Sequence, residues 1–209
     1  MNYEEQRRLL CRFCRLSYRR GLVFACDGNF SLRLPDGGIL ITPSGKNKGF
    51  LRPQELLAVS PDGTVQGGGR PSKEFPIHRC IYEERPEVQA VLHSHPVFAT
   101  AFAAAGRPVP DDYFVETALF LGSVPVAPFA LPGTQELVQA VRPHAGHCSQ
   151  LLLKNHGVLV WDVSLQTAYD RLEVLEAVCR TALYTEALGG ADKLPPQLVQ
   201  QLGRKAEKR

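Results

Sequence analysis

The chain has 209 residues, 44% apolar and 22% charged, which suits one globular domain of moderate size. Its 24 basic and 21 acidic residues leave a net charge of +3, too balanced for the basic stripe of a nucleic-acid binder. No apolar run reaches the ~20 residues that span a bilayer, and Met1-Asn2-Tyr3-Glu4-Glu5-Gln6 is unlike a secretory signal, so a soluble cytoplasmic protein without membrane or nucleic-acid partners is expected.

In chain order, residues 2–20 carry Leu9, Leu10, Phe13 and Leu16 at three- and four-residue spacing, which predicts an amphipathic helix. Asn2 is its expected cap, Glu4 and Glu5 suit its first turn, and Gly21 ends it. Arg8, Arg12, Arg15 and Arg19 recur at helical spacing and read as a solvated face. Cys11 and Cys14 form a C-x-x-C inside this helix without a second pair, so they and Cys26, Cys80, Cys148 and Cys179 read as reduced thiols. Gly28-Asn29 suits a turn. Phe30, Leu32 and Leu34 then alternate with Ser31 and Arg33 as in a strand, and Pro35-Asp36-Gly37-Gly38 turns the chain into a second strand, Ile39–Ile41. The loop from Thr42 to Gly49 contains Gly45-Lys46, but a P-loop would need its first glycine at Leu40, so that motif is excluded. Backbone N–H groups with the hydroxyls of Thr42 and Ser44 suit an anion there, and a plain surface turn fits the same residues.

Short strands are expected at 56–60 and 64–66 around Pro61-Asp62-Gly63, then a helix from Phe75 to Glu84 with Ile77, Cys80 and Ile81 inward. A strand at 88–92 leads into His93 and His95, and a small-residue helix at 97–104 ends at Gly106. Proline-rich loops occupy 107–132, around a short helix at 115–121 and a strand at 124–128. A helix opens at Gly133-Thr134 and runs to about Val141. Strands follow at 151–153 and 158–161, and Ser164 caps a long helix to about Leu188. Residues 1–190 read as one α/β domain of three-layer character, and 191–209 as a polar, basic tail, frayed or loosely docked.

The chemistry concentrates at Val91-Leu92-His93-Ser94-His95-Pro96. Alternate strand side chains share a face, so His93 and His95 project together, which suits one divalent metal. Two half-exposed strand-end histidines fit His-x-His equally well. His156, at the end of the 151–153 strand, is the candidate third ligand of a zinc site with one open position. His78 reads as a structural helical histidine, and His144 and His147 as solvated loop residues.

Five segments occur in order: Gly28-Asn29-Phe30-Ser31, Ile41-Thr42-Pro43-Ser44-Gly45, Pro71-Ser72-Lys73-Glu74, Arg85-Pro86 with Ala90–His95, and Asn155-His156-Gly157. Together, over roughly Leu9 to Leu188, they resemble the class II aldolase/adducin N-terminal family. The resemblance implies a three-layer α/β/α domain with a central, mostly antiparallel sheet. It implies Zn2+, or another divalent metal, on His93, His95 and His156, with Glu74 in the metal's fourth position as acid/base. Gly28, Asn29, Thr42, Ser44, Gly45 and Ser72 fall on its substrate-phosphate site. Lys73 departs from the serine expected there and offers a point charge to phosphate or carboxylate. The family's second acid/base, a tyrosine from a neighbouring subunit, aligns without gaps on Phe114; Tyr113 and Glu116 are the candidates. Taken alone, Glu74 reads equally as a helix N-terminal glutamate favoured by the dipole. The expected activity is aldol cleavage of a ketose 1-phosphate, such as L-fuculose 1-phosphate, to dihydroxyacetone phosphate and an aldehyde. Epimerase, dehydratase, decarboxylase and a non-catalytic, adducin-like assembly module are the alternatives. A homotetramer with active sites at its interfaces is expected.

Overall fold

The hairpin at Pro35–Gly38 starts a sheet that grows by antiparallel pairing in both directions. In the computed structural model, which describes residues 3–206 with side chains through residue 203, strands β1 (Asn29–Arg33) and β2 (Ile39–Ile41) pair as read. β3 (Leu57–Val59) and β4 (Val65–Gln66) extend that edge. On its other side β1 pairs with β5 (Ala90–Ser94), then come β8 (Gly157–Asp162), β7 (Gln150–Leu153) and β6 (Val126–Ala127). The order is β4-β3-β2-β1-β5-β8-β7-β6, and the β6–β7 pairing alone is parallel, so the sheet is mixed with an antiparallel majority.

Helices cover both faces. α1 (Glu4–Arg19), α3 (Val97–Ala105) and α5 (Leu165–Ala187) share one core with Phe30, Leu32, Leu92 and Val160. α2 (Phe75–Glu84) and α4 (Gln135–Ala145) cover the other face, against Val91, Leu151, Leu159 and Trp161. The division follows from the period of two along each strand: Leu92 faces one layer while Val91 and His93 face the other. No described helix is long and apolar enough to cross a membrane.

Local chemistry explains most boundaries. The Ser164 hydroxyl accepts from the Thr167 N–H and Thr134 from Leu137, so both helices start where a capping side chain stands. α1 starts after Tyr3, and Asn2, its expected cap, lies outside the described residues. Within α1 the buried stripe is Leu10, Cys11, Phe13, Cys14 and Ser17, while Leu9 is exposed. The α2 bounds are those read from the sequence.

Three readings change. The strand read at 88–92 runs two residues later, because β8 pairs with it as far as Ser94, so His93 sits inside the sheet. α4 continues to Ala145 and takes in His144. The tail expected to be frayed forms α6 (Pro196–Ala206), with Leu202 buried and the Leu194 N–H donating to the Asp112 carbonyl at 2.7 Å. Proline fits the first helical turn, where its missing N–H costs nothing, so Pro195-Pro196 starts this helix. All six cysteines are free; Cys26 is exposed, Cys148 half-buried and the rest buried.

Candidate metal centre

Three segments meet at one end of the sheet. The first is the end of β5. His93 is fully buried beside Leu159 of β8, and its Nδ1 donates to the Val158 carbonyl at 2.9 Å. That bond fixes the tautomer and leaves a lone pair on Nε2. The second is the three-residue turn between β7 and β8. Asn155 adopts a left-handed backbone (φ 55°), which asparagine tolerates better than most residues, and its N–H donates to the Ala103 carbonyl of α3. His156 follows, aimed back at β5. Gly157 makes the approach possible: a Cβ there would lie 2.2 Å from His95 Cδ2 and 2.6 Å from the Ser94 carbonyl. The three imidazole centroids form a triangle with sides of 4.7, 4.8 and 5.1 Å.

The third segment is the start of α2. Glu74 occupies the N-cap position but makes no side-chain cap bond. Its carboxylate turns into the cluster instead, with Oε2 3.1 Å from His93 Nε2 and Oε1 3.3 Å from His156 Nε2. Asn29 Nδ2 donates to Oε2 at 2.8 Å, and Oε1 has no hydrogen-bond partner among the described residues. A carboxylate serving only the helix dipole would not be arranged in this way.

These atoms fit a cation. The His93 Nε2 lone pair faces a carboxylate oxygen at 3.1 Å and His95 Nε2 at 3.0 Å. Acceptors crowded so closely repel unless positive charge lies between them. The side-chain donors of His93, His95 and His156 all lie within 4.8 Å of one another. Burial pushes His95 and His156 down to about 4, so both imidazoles are neutral and ready as ligands near neutral pH. Burial raises the Glu74 carboxyl, but the opposing pull of His93, His156 and Asn29 prevails and holds it below the usual carboxylate range.

A hollow of about 200 Å³ opens beside this cluster, lined by Gly28, Asn29, Ser44, Gly45, Ser72, Lys73, Glu74 and His95. A bridge between Pro43 and Pro71, with the Ser44 N–H donating to the Arg70 carbonyl at 3.0 Å, ties its two loops together. The Ser72 hydroxyl accepts from the Glu74 N–H at 3.2 Å, which sets the turn into α2. Of the residues expected to hold phosphate, Thr42 alone is outside this lining: it is fully buried, and its hydroxyl accepts from the Phe30 N–H. Tyr113 and Glu116 are not brought to the histidines within one chain. Tyr113 lines a separate hollow with Arg107 and Lys193 and donates to Glu186, while Glu116 is exposed.

Sequence reasoning missed Lys48 and Asp27. Lys48 is buried under the hollow, with Nζ donating to the Cys26 carbonyl at 2.7 Å and the Lys46 carbonyl at 3.0 Å. It ties the Cys26 segment to the Lys46–Lys48 turn and brings an ammonium group to the lining of the hollow. Asp27 Oδ2 lies 3.8 Å from His95 Nδ1. No spacing rule marks a buried lysine in a glycine-rich loop, so Lys48 had no readable signal.

Comparison with known proteins places this arrangement. The profile described as class II aldolase and adducin N-terminal domain matches residues 8–183. The 3-oxo-tetronate 4-phosphate decarboxylase of Escherichia coli K12 is 34% identical over 181 residues, covering 85% of this chain and 84% of its own. The L-fuculose phosphate aldolase of Escherichia coli O157:H7 is 33% identical over 177 residues, covering 85% and 81%. The crystal structure of Escherichia coli YgbL superposes with a TM-score of 0.91 at 29% identity, over 97% of this chain and all of that one.

Proposed function

The chain belongs to the class II aldolase and adducin N-terminal family, and from that premise we propose that it is a metal-dependent lyase breaking a carbon–carbon bond in a phosphorylated keto sugar or keto sugar acid. The single observation that carries this reading is the convergence of three imidazoles and the Glu74 carboxylate on the mouth of a hollow lined by Ser44, Gly45, Ser72 and Lys73. A non-catalytic assembly role gives no reason to keep that donor set.

The reactions named for the two relatives share a chemical core. Loss of CO2 from a 3-oxo-tetronate 4-phosphate and aldol cleavage of a ketose 1-phosphate both leave the enediolate of dihydroxyacetone phosphate. Zn2+ is the metal we propose on His93, His95 and His156, since three neutral imidazoles with one open position suit it, and when bound it supplies Lewis-acid stabilisation of developing oxygen charge. The chain's own residues do the rest. The Ser44 and Ser72 hydroxyls and the loop amides at Gly45 hold the phosphate, above the Lys48 charge. Glu74, poised at hydrogen-bond range of the cluster, takes up a proton from solvent and passes it to the nascent carbanion carbon, returning to the carboxylate.

The two outcomes differ in the departing half. An aldehyde leaves only if its hydroxyl proton is removed, which needs a second acid/base; CO2 leaves without one. Within one chain Glu74 is the only carboxylate in contact with the histidines among the described residues apart from Asp27, 3.8 Å from His95. Lys73 adds a cation beside Glu74 that suits a substrate carboxylate. Both observations favour decarboxylation of a 3-oxo sugar-acid phosphate. Aldol cleavage is the second reading, and it requires Tyr113 or Glu116 from a neighbouring copy in the proposed homotetramer. Phe129 and Leu131, exposed on the loop that reaches the hollow at Pro132, give such assembly an apolar face. Product analysis separates the readings: a zinc-loaded sample offered a 3-oxo-tetronate 4-phosphate and a panel of ketose 1-phosphates should release CO2 from the first. Aldehyde release from a ketose 1-phosphate at a higher kcat/KM would establish the second reading, and turnover of none would overturn both.

A further inference from the structure

A line of buried polar groups runs beneath α2, and the chemistry proposed above makes no use of it. Tyr82 Oη lies 2.9 Å from Ser31 Oγ, and Ser31 Oγ lies 2.7 Å from His78 Nδ1. His78 Nε2 is 2.5 Å from Asn29 Oδ1, and Asn29 Nδ2 is 2.8 Å from Glu74 Oε2. Ser31 and His78 are completely buried, and Asn29 and Tyr82 are each 3% exposed, so these bonds have no competition from bulk water.

The protons in this line can be arranged in one way. A carboxylate only accepts, so Asn29 must present its NH2 to Glu74 and its carbonyl oxygen to His78. That oxygen also only accepts, so His78 must carry its proton on Nε2. Complete burial pushes His78 down to about 3, so the ring is neutral and Nδ1 has a lone pair. Ser31 must therefore donate to Nδ1, and Tyr82 is left to donate to Ser31. Rotating the Asn29 amide would set its oxygen 2.8 Å from the carboxylate and its NH2 against the Nε2 hydrogen. Every bond thus points toward Glu74, and bonds aligned in this sense polarise one another.

We propose that His78 is a positioning residue: with Ser31 and Tyr82 behind it, it holds Asn29 so that Glu74 Oε2 is tied down and Oε1 alone is presented to the reacting atoms. The inference rests on the reading of Glu74 as the acid/base. His78 never touches substrate or metal. It acts one residue removed, as partners behind a metal site commonly do, and losses of ten- to a hundredfold are typical for such partners. Glu74 and His78 stand four apart on α2, one turn of helix, which places both side chains on the face that β1 meets.

The test has two independent arms. In metal-free protein with 15N-labelled histidine, NMR at pH 7 should show His78 as the Nε2–H form with Nδ1 accepting; an Nδ1–H form would overturn the proposal. That arm requires no turnover, so it stands even if no sugar phosphate proves to be a substrate. In the zinc-loaded enzyme, Ser31→Ala should lower kcat roughly ten- to a hundredfold while KM and metal per chain stay within about twofold. His78→Gln, which keeps an N–H for Asn29 and an acceptor for Ser31, should recover most of the kcat lost in His78→Leu. Should His78→Leu fail to fold, Ser31→Ala carries the comparison. An unchanged kcat in Ser31→Ala, or equal losses in kcat and metal content, would overturn the positioning role.

Discussion

Two regions supply the residues expected to do chemistry, and they are built differently. At the β5–β8 end of the sheet, three of the site residues are set in place by groups outside the cluster. His93 is tied to the Val158 carbonyl, His156 sits in a turn pinned to α3, and Glu74 is tied to Asn29. The 107–121 segment is tied down as well, but to α5 and α6 and away from the histidines. Tyr113 bonds to Glu186, Glu116 faces solvent, and a π-helical turn (Thr117–Leu121) packs beside α5. The first region is preorganised within one chain, which is what a metal site requires. One chain therefore brings together a set of three imidazoles that could hold a metal and one carboxylate beside them, and it is this asymmetry on which the proposed preference for CO2 over an aldehyde rests.

The asymmetry can be broken at known points. Glu74→Gln keeps the side-chain shape and removes the proton carrier, so kcat should fall about 10²–10⁴-fold with metal content retained; loss of metal in that variant would instead make Glu74 chiefly a ligand. Gly157→Ala places a Cβ 2.2 Å from His95 Cδ2, where backbone or ring must move. It should weaken metal binding about 10–100-fold and cost roughly 1–3 kcal/mol in urea denaturation.

Acid stability gives a smaller effect. Burial pushes the His78 ring from its ordinary 6.5 in the unfolded chain down to about 3 when folded. Between those values the unfolded chain holds the extra proton, so stability contributed by the neutral buried ring is full above pH 7. It is lost as pH falls below 6.5, by about 1.4 kcal/mol per pH unit. Urea denaturation at pH 7 and pH 5 should show this slope in the native protein, and the slope should shrink in His78→Gln. Smallest of all is Tyr113→Phe, which should change turnover less than about threefold if CO2 is the departing group. A loss of about a hundredfold or more would move Tyr113 into the site and favour aldol cleavage.

Much of this was legible in the sequence, and the failures share a cause. The His-x-His spacing, the strand that delivers it, His156 before Gly157, and the α2 bounds follow from period and turn chemistry. The polar line beneath α2 does not. Phe30-Ser31-Leu32-Arg33 alternates as a strand with one wet face would, yet α2 covers Ser31 and Arg33, and Arg33 donates to the Tyr82 and Val88 carbonyls. Alternation reports which side chains share a face and says nothing of what lies over it. The same limit hid α6, whose half-buried Val199 and buried Leu202, three apart, have meaning only against the surface they meet.

Metal content is the most direct test of the central claim. Plasma mass spectrometry on purified native protein and on His95→Ala, with turnover measured before and after chelation, should find one divalent ion per native chain. It should find almost none in the variant, with activity lost in chelator and restored by zinc. Metal-free native protein with full turnover, or His95→Ala retaining both ion and activity, would contradict the account.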